Sequence, residues 1–284
     1  FFRCGAELFK DPEAALLDFG QILAEAVRPQ VFCETHFKPG LEPEDQAKAW
    51  KLLVMEQWGL ASFASCAWFF EDISRIEPLG GLTFALRAMD LCRATGGPDP
   101  EPALLSELEQ GRSNIPSKGT GRELYVSEVL PRRMDNVSLC AFGLLMAEAR
   151  DRFPEPGEQS EITWPGVSLC IDVDEAASHA PQGRITIAWA LIPSVEVLTW
   201  QWFLSESQDI LDSEFLVKAG NGDAGRITAR DLPLNGRQAI ALERIKRSEA
   251  EVWELSRSLM FLAAPLFPAF QEGQKAQTLS EEWK

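Results

Sequence analysis

The chain has 284 residues, of which 45% are hydrophobic and 25% charged, and this composition excludes a disordered or collagen-like protein. Its 27 Lys and Arg against 43 Asp and Glu give a formal net charge of -16. An acidic chain repels phosphate backbones and anionic lipid, so we expect neither a nucleic-acid nor a membrane partner. The longest apolar run, residues 259–270, contains two prolines and falls short of the roughly 20 residues of a membrane-spanning helix.

Two features concern the cellular origin of the chain. It begins at Phe1 without an initiator Met, and we expect a fragment or a processed chain. The six cysteines are widely spaced, and several lie in apolar stretches where a thiol behaves as a small hydrophobic group. We therefore expect reduced thiols and a cytoplasmic protein, with a disulfide framework as the alternative.

The first half of the chain has the hydrophobic spacing of helices. Asp11 followed by Pro12 is typical of a helix start. The strongest pattern, residues 42–70, predicts a central helix whose second half is buried on most sides. The full set of predicted helices in this half is 11–26, 42–70, 82–94, 101–110 and 131–153.

Near residues 154–157 the pattern changes to short segments rich in Val, Ile, Thr, Trp and Phe. They predict a four- or five-stranded antiparallel sheet, with a hairpin signal at 220–223. A final helix is expected over residues 235–262. The predicted strands are 162–171, 184–192, 195–203, 214–217 and 226–229.

The predicted fold class is therefore α+β, with a helical bundle followed by the sheet and a returning carboxy-terminal helix. We expect residues 1–153 to form the bundle, and residues 154–284 to form the sheet and last helices. The two parts are expected to pack together as one unit.

Three motifs are weak candidates for chemistry. Residues 220–225 match the letters of a dinucleotide-binding loop, but a strand rather than a helix is predicted to follow, so a hairpin is favoured. Cys33 and His36 have metal-like spacing, yet the chain has only two His, too few for a usual zinc set. Residues 172–175 cluster carboxylates, and a solvated acidic turn is favoured over a calcium site. We expect no metal and no cofactor.

The segment 62–74 is the best candidate ligand site. It places two carboxylates, Glu71 and Asp72, beside Trp68 and Phe70. Aromatic faces stack on the C–H face of a sugar, and carboxylates accept hydrogen bonds from its hydroxyls. The alternative is that Glu71 and Asp72 only cap the next turn.

The run from Ser65 to Glu77 resembles the signature of the bacterial family called domain of unknown function 3536. Ala67 and Arg75 depart from it, since glycine is expected at both positions. Further segments that resemble the family occur in the expected order along most of the chain, and they are 10–12, 53–56, 113–114, 129–131 and 230–233.

In intact proteins this family follows a barrel resembling glycoside hydrolase family 57. The resemblance implies that the catalytic carboxylates belong to that barrel, so no catalytic residue is assigned to this chain. It implies an accessory region that packs on the barrel and helps to line an α-glucan-like polysaccharide cleft. Trp68 is the position that best matches this role, with Phe70, Glu71 and Asp72 as further candidates.

The alternative function is a non-catalytic scaffold that binds protein and no sugar. The strands carry Trp189, Trp200 and Trp202, and aromatic residues are enriched in protein interfaces. For these three residues an ordinary inward-facing position is favoured, because their strands are strongly apolar.

Overall fold

The computed structural model describes residues 1–164, 166–175, 180–203, 212–219 and 224–263, with side chains to residue 251 except that of Ser194. The helices of this part are α1 (Phe2–Leu8), α2 (Pro12–Leu23), α3 (Pro29–His36), α4 (Pro43–Ser62), α5 (Cys66–Phe69), α6 (Ile76–Ala94), α7 (Glu101–Leu108), α8 (Gly121–Leu124), α9 (Asn136–Ala149) and α10 (Leu234–Ala263). A π-helical turn, Tyr125–Val129, follows α8.

Helices α1 to α4 enclose an aromatic core. The ring of Trp50 lies 5.5 Å from that of Phe32, 5.7 Å from that of Phe37 and 6.3 Å from that of Phe19. Helix α2 begins as the sequence predicts, because Asp11 accepts hydrogen bonds from two backbone amides of its first turn. This cluster anchors the amino-terminal half of α4.

The prediction of one helix over 42–70 is wrong in two respects. Helix α4 ends at Ser62, where the hydroxyl donates to the carbonyl of Gly59 at 2.6 Å, and the chain turns before α5. Its buried residues all lie between Ala47 and Val54, whereas Leu60 is 69% exposed. The apolar second half is therefore only partly covered: α6 packs against it, with the Trp58 ring 5.4 Å from that of Phe84, and Leu60 stays at the surface.

In the described ranges, six strands form one sheet in which every neighbouring pair is antiparallel and the order follows the chain. The sheet has one strand more than the five predicted, because the predicted single strand 162–171 consists of two antiparallel strands joined by a turn. Gly166 adopts φ 82°, which favours glycine, and the chain reverses so that Trp164 pairs with Val167. The strands are β1 (Gln159–Trp164), β2 (Val167–Glu175), β3 (Gln182–Trp189), β4 (Ile192–Phe203), β5 (Glu214–Ala219) and β6 (Ala224–Thr228).

The predicted hairpin after 214–217 is consistent with the pairing of β5 and β6, in which Lys218 lies opposite Ala224. The turn itself, residues 220–223, lies outside the described residues. A strand, not a helix, follows it, so the geometry that a dinucleotide loop requires is missing at this position.

Helix α9 covers one face of the sheet and forms the main core with it. Trp200 and Trp202 point into this core and are 2% and 3% exposed, so these two indoles are inward-facing. Helix α10 packs on α9, where Arg150 pairs with Glu243 at 3.3 Å. The fold class is confirmed, and the boundary at residue 153 stays a prediction.

Within the described ranges, no helix has both the length and the apolar character needed to cross a membrane.

Candidate functional site

The residues between α4 and α6 form an exposed aromatic segment, Phe63–Phe70. Three of its rings project into solvent, with Phe63 72%, Trp68 62% and Phe69 82% exposed. Large apolar side chains clustered at the surface are a feature of binding sites. The segment is therefore the part of the described surface with the most exposed aromatic area.

A cavity of about 350 Å³ opens beside this segment. Most of its wall is apolar, and the polar side chains on it are those of Ser62 and Glu107. Helices α6, α7 and α8 contribute the apolar wall, and Trp68 stands at its rim. Its principal lining residues are Trp68, Ile73, Leu82, Leu104, Leu108 and Leu124.

Asp72 is buried and holds two loops together. Its carboxylate accepts hydrogen bonds from the Ser74 amide at 2.8 Å, from the Ser113 hydroxyl at 2.9 Å and from the Asn114 amide. These bonds, those from Ser74 above all, hold the pKa of Asp72 well below its ordinary value of 3.8. Both oxygens are occupied by protein donors, so Asp72 positions the segment, and ligand binding by this carboxylate stays a prediction.

Glu71 and Phe70 lie on the exposed side of the same turn. The backbone carbonyl of Glu71 accepts a bond from the Asn114 amide side chain, while its carboxylate has no partner among the described residues. Phe70 is 38% exposed and packs edge-on against Phe69 at 5.6 Å. Of the four predicted site residues, the cavity is lined by Trp68 only.

The two departures from the family signature require no unusual backbone. Arg75 has φ -72° and ψ 160°, an extended conformation that any residue adopts, and Ala67 lies within α5. A Cβ added at Gly81 would come 3.1 Å from the Cβ of Ala67. The close approach of α5 and α6 therefore depends on Gly81.

The part of the cavity wall that comes from helices distant in the sequence was not predicted from the sequence. Leu104 and Leu108 come from α7, and their apolar spacing predicts only a buried helix face. Ser113 and Asn114 were noted as part of the family resemblance, yet nothing in their spacing indicated that they bind the carboxylate of Asp72.

The weaker motifs have structural partners. The His36 ring lies tilted against that of Phe32, with centroids 4.6 Å apart, and its Nε2 lies 3.2 Å from the Asp18 carboxylate, while burial raises the pKa of the Cys33 thiol. Asp172 accepts a hydrogen bond from Gln159 at 2.6 Å. The described ranges contain no group of three or more His, Cys, Asp or Glu that could hold a metal ion.

A comparison with protein-family models finds one match, to "Domain of unknown function (DUF3536)", over residues 1–185. No curated protein and no solved structure matches the chain. The matched range contains the aromatic segment, Asp72 and the loop that binds it. Because the match covers more than half of its length, the chain belongs to the family Domain of unknown function (DUF3536).

Proposed function

We propose that this chain is an accessory region that acts beside a barrel resembling glycoside hydrolase family 57, and that its surface around Trp68 helps to line a polysaccharide cleft. The observation that carries the proposal is the exposed indole of Trp68 at the rim of the apolar cavity. In this proposal the chain contributes binding and shape, and two carboxylates of the barrel perform any hydrolysis.

The chemistry of the segment supports sugar contact. An exposed indole face stacks on the C–H face of a sugar ring, and an unpartnered carboxylate three residues later, Glu71, can accept hydrogen bonds from hydroxyls. Asp72 supports both residues, because its bonds to Ser113 and Asn114 fix the turn that carries them. Fixing the turn before binding reduces the entropy lost when a ligand orders it.

A second candidate function, protein docking without sugar binding, is favoured by the aliphatic wall of the cavity. Phe63, Phe69 and Ile76 are all more than 70% exposed, and such a surface suits an apolar partner. The partner of this second proposal is the barrel of the same protein. In the first function Trp68 contacts a sugar ring, and in the second it contacts the barrel.

Tryptophan fluorescence separates the two candidates. We expect malto-oligosaccharide to quench or shift the emission of the intact chain, and we expect Trp68→Ala to abolish that response. Trp68 is exposed, so its removal should change the free energy of unfolding by less than about 0.5 kcal/mol. A lost response shows that Trp68 is the responding indole, and calorimetric titration of malto-oligosaccharide into the same variant then shows whether binding itself is lost. Phe69→Ala is the matched control, because Phe69 is exposed but does not line the cavity.

No response to several glucans, or a response that persists in Trp68→Ala, would contradict the sugar proposal. The docking proposal is tested by titrating a separately expressed barrel domain into the chain by calorimetry. We expect Phe63→Asp to weaken that binding by about tenfold or more, since it places a charge in an apolar contact. Binding that is equally strong in Phe63→Asp would contradict docking through this surface.

A further inference from the structure

A second cavity lies where α4, α6 and the start of α9 meet strands β3 and β4, and we call it the junction cavity. Its volume is about 350 Å³, and it shares no lining residue with the cavity beside Trp68. Charged side chains line much of the junction cavity, whereas the wall of the cavity beside Trp68 is mostly apolar. The charged side chains on the wall of the junction cavity are Lys51, Arg87, Arg133, Asp90, Asp135 and Glu196.

The three carboxylates of the junction cavity already have donors. Asp90 pairs with Arg133 at 3.0 Å and with Arg93. Asp135 accepts from the Ser138 amide at 2.8 Å, and Glu196 accepts from the Asn136 side chain. Asp135 and Glu196 each keep one oxygen without a partner among the described residues.

Two of the three cations have no direct ion pair. Within the described part of the chain, neither Lys51 nor Arg87 has an ion pair or a hydrogen bond, and the Arg87 guanidinium lies over the Trp189 ring at 4.3 Å from the ring centroid. Arg133, which pairs through its terminal nitrogen, has a buried Nε without a partner. A partly buried charge without a counterion is costly.

The environment of Arg87 agrees with this picture. Burial lowers the pKa of its guanidinium, and the charge of nearby Asp90 opposes that effect. In a chain with net charge -16, cations from three separate elements converge on one cavity. This convergence is what recognition of an anionic group requires.

We propose that the junction cavity binds a small hydroxylated anion, with Lys51 and Arg87 holding its phosphate or carboxylate. The free oxygens of Glu196 and Asp135 accept hydrogen bonds from its hydroxyls. The volume lies at the lower end of the range of small-molecule sites, so the ligand is about the size of one sugar phosphate. This site is independent of the function proposed for Trp68.

Calorimetric titration of the full chain at low ionic strength tests the assignment, with glucose 6-phosphate as the probe. We expect binding with a dissociation constant of about 1 mM or tighter, and no binding of neutral glucose. Lys51→Gln and Arg87→Gln should each weaken it by about tenfold or more. Lys48→Gln is the matched control, because Lys48 lies one turn earlier on α4 and does not line the cavity.

Thermal melting of each variant shows whether weaker binding comes from the lost side chain or from lost folding. If Arg87→Gln has a lower melting temperature than the parent chain, the assignment is judged on Lys51→Gln. Titration with inorganic phosphate shows how much of the affinity comes from the phosphate group and how much from the sugar hydroxyls. Weaker binding of phosphate than of the sugar phosphate supports the role of the hydroxyls. Absence of glucose 6-phosphate binding, or equal weakening in Lys48→Gln, would overturn the assignment.

Discussion

The Ser113 hydroxyl lies 2.9 Å from each carboxylate oxygen of Asp72 and donates to this carboxylate across 41 residues of sequence. The Asn114 amide joins the same carboxylate, so the turn after α5 is tied to the loop after α7. The turn carries Trp68 and Glu71 on its amino-terminal side. The orientation of the candidate site therefore depends on a residue whose own side chain is buried.

Replacement of Asp72 should destabilise the chain in a pH-dependent manner. Its pKa is lowered in the folded state, so its contribution is complete above its ordinary value of 3.8 and is lost as the pH falls through the acid range toward the folded value. We expect Asp72→Asn to lower the urea midpoint near pH 7, with a difference from the parent chain that is unchanged at about pH 5 and shrinks below 3.8.

Glu71→Gln serves as the control for Asp72→Asn, because the exposed Glu71 carboxylate has no partner among the described residues. We expect its urea midpoint near pH 7 to match that of the parent chain. An Asp72→Asn variant as stable as the parent near neutral pH would contradict the anchoring role.

Tyr125 should resist ionisation while the chain is folded. It is the only tyrosine, it is fully buried, and its hydroxyl donates to Glu101 at 3.0 Å. Burial and the Glu101 carboxylate raise the pKa of Tyr125 above its ordinary value of 10.0. Because the raised pKa belongs to the folded state, its contribution to stability is present below pH 10.0 and falls as the pH rises above it.

The ultraviolet absorbance of tyrosinate, followed together with circular dichroism, measures this ionisation. We expect the midpoint above 10.0 in the parent chain and a lower midpoint in Glu101→Gln, which removes the nearby negative charge. Glu109→Gln is the control, since Glu109 lies near the same helix but contacts Arg122 at 3.9 Å instead. An equal shift in both variants would show that the Glu101 contact has no special role.

The folded chain has no room for a Cβ at Gly183 unless its neighbours shift. A Cβ at this position would lie 2.0 Å from the carbonyl oxygen of Asp172 on the neighbouring strand and 2.9 Å from the Trp200 ring. We expect Gly183→Ala to lower the free energy of unfolding by about 1–3 kcal/mol, because the β2–β3 pairing must shift. Urea unfolding measures the change.

Gly20→Ala is the matched comparison for Gly183→Ala. Gly20 lies on the exposed surface of α2, and nothing lies within 4 Å of an added Cβ. Alanine is the better helix former, so this variant should gain up to about 1 kcal/mol. Equal effects of the two substitutions would mean that the close approach at Gly183 does not constrain the sheet.

Hydrophobic spacing predicted the elements well where the local pattern was sufficient. The start of α2 at Asp11 and Pro12, and the change from helices to strands near residue 154, depend on residues close in sequence. The sixth strand was missed because apolar residues continue on both sides of the turn at Gly166. The adjacent Pro165 and Gly166 are a turn signal in the sequence, and the positive φ of Gly166 and the pairing of Trp164 with Val167 show the reversal.

Burial was less predictable than the elements themselves. The second half of α4 is as apolar as the first, so spacing alone placed Leu60 and Phe63 inside. Helix α6 packs against the second half of α4 without covering these two side chains, so their exposure depends on how α5, α6 and α7 pack.

The sequence by itself determined the fold class, the family resemblance and the selection of Trp68 as a candidate, because these follow from composition and local order, whereas only the structure shows that its indole is exposed. The tertiary structure alone decided that Asp72 is an anchor, that leucines of α6 and α7 form the wall beside Trp68, and that Lys51 and Arg87 share a cavity. The reason is physical. Hydrogen bonds, cavities and charge clusters join residues distant in the chain, and local sequence patterns contain no information about those distances.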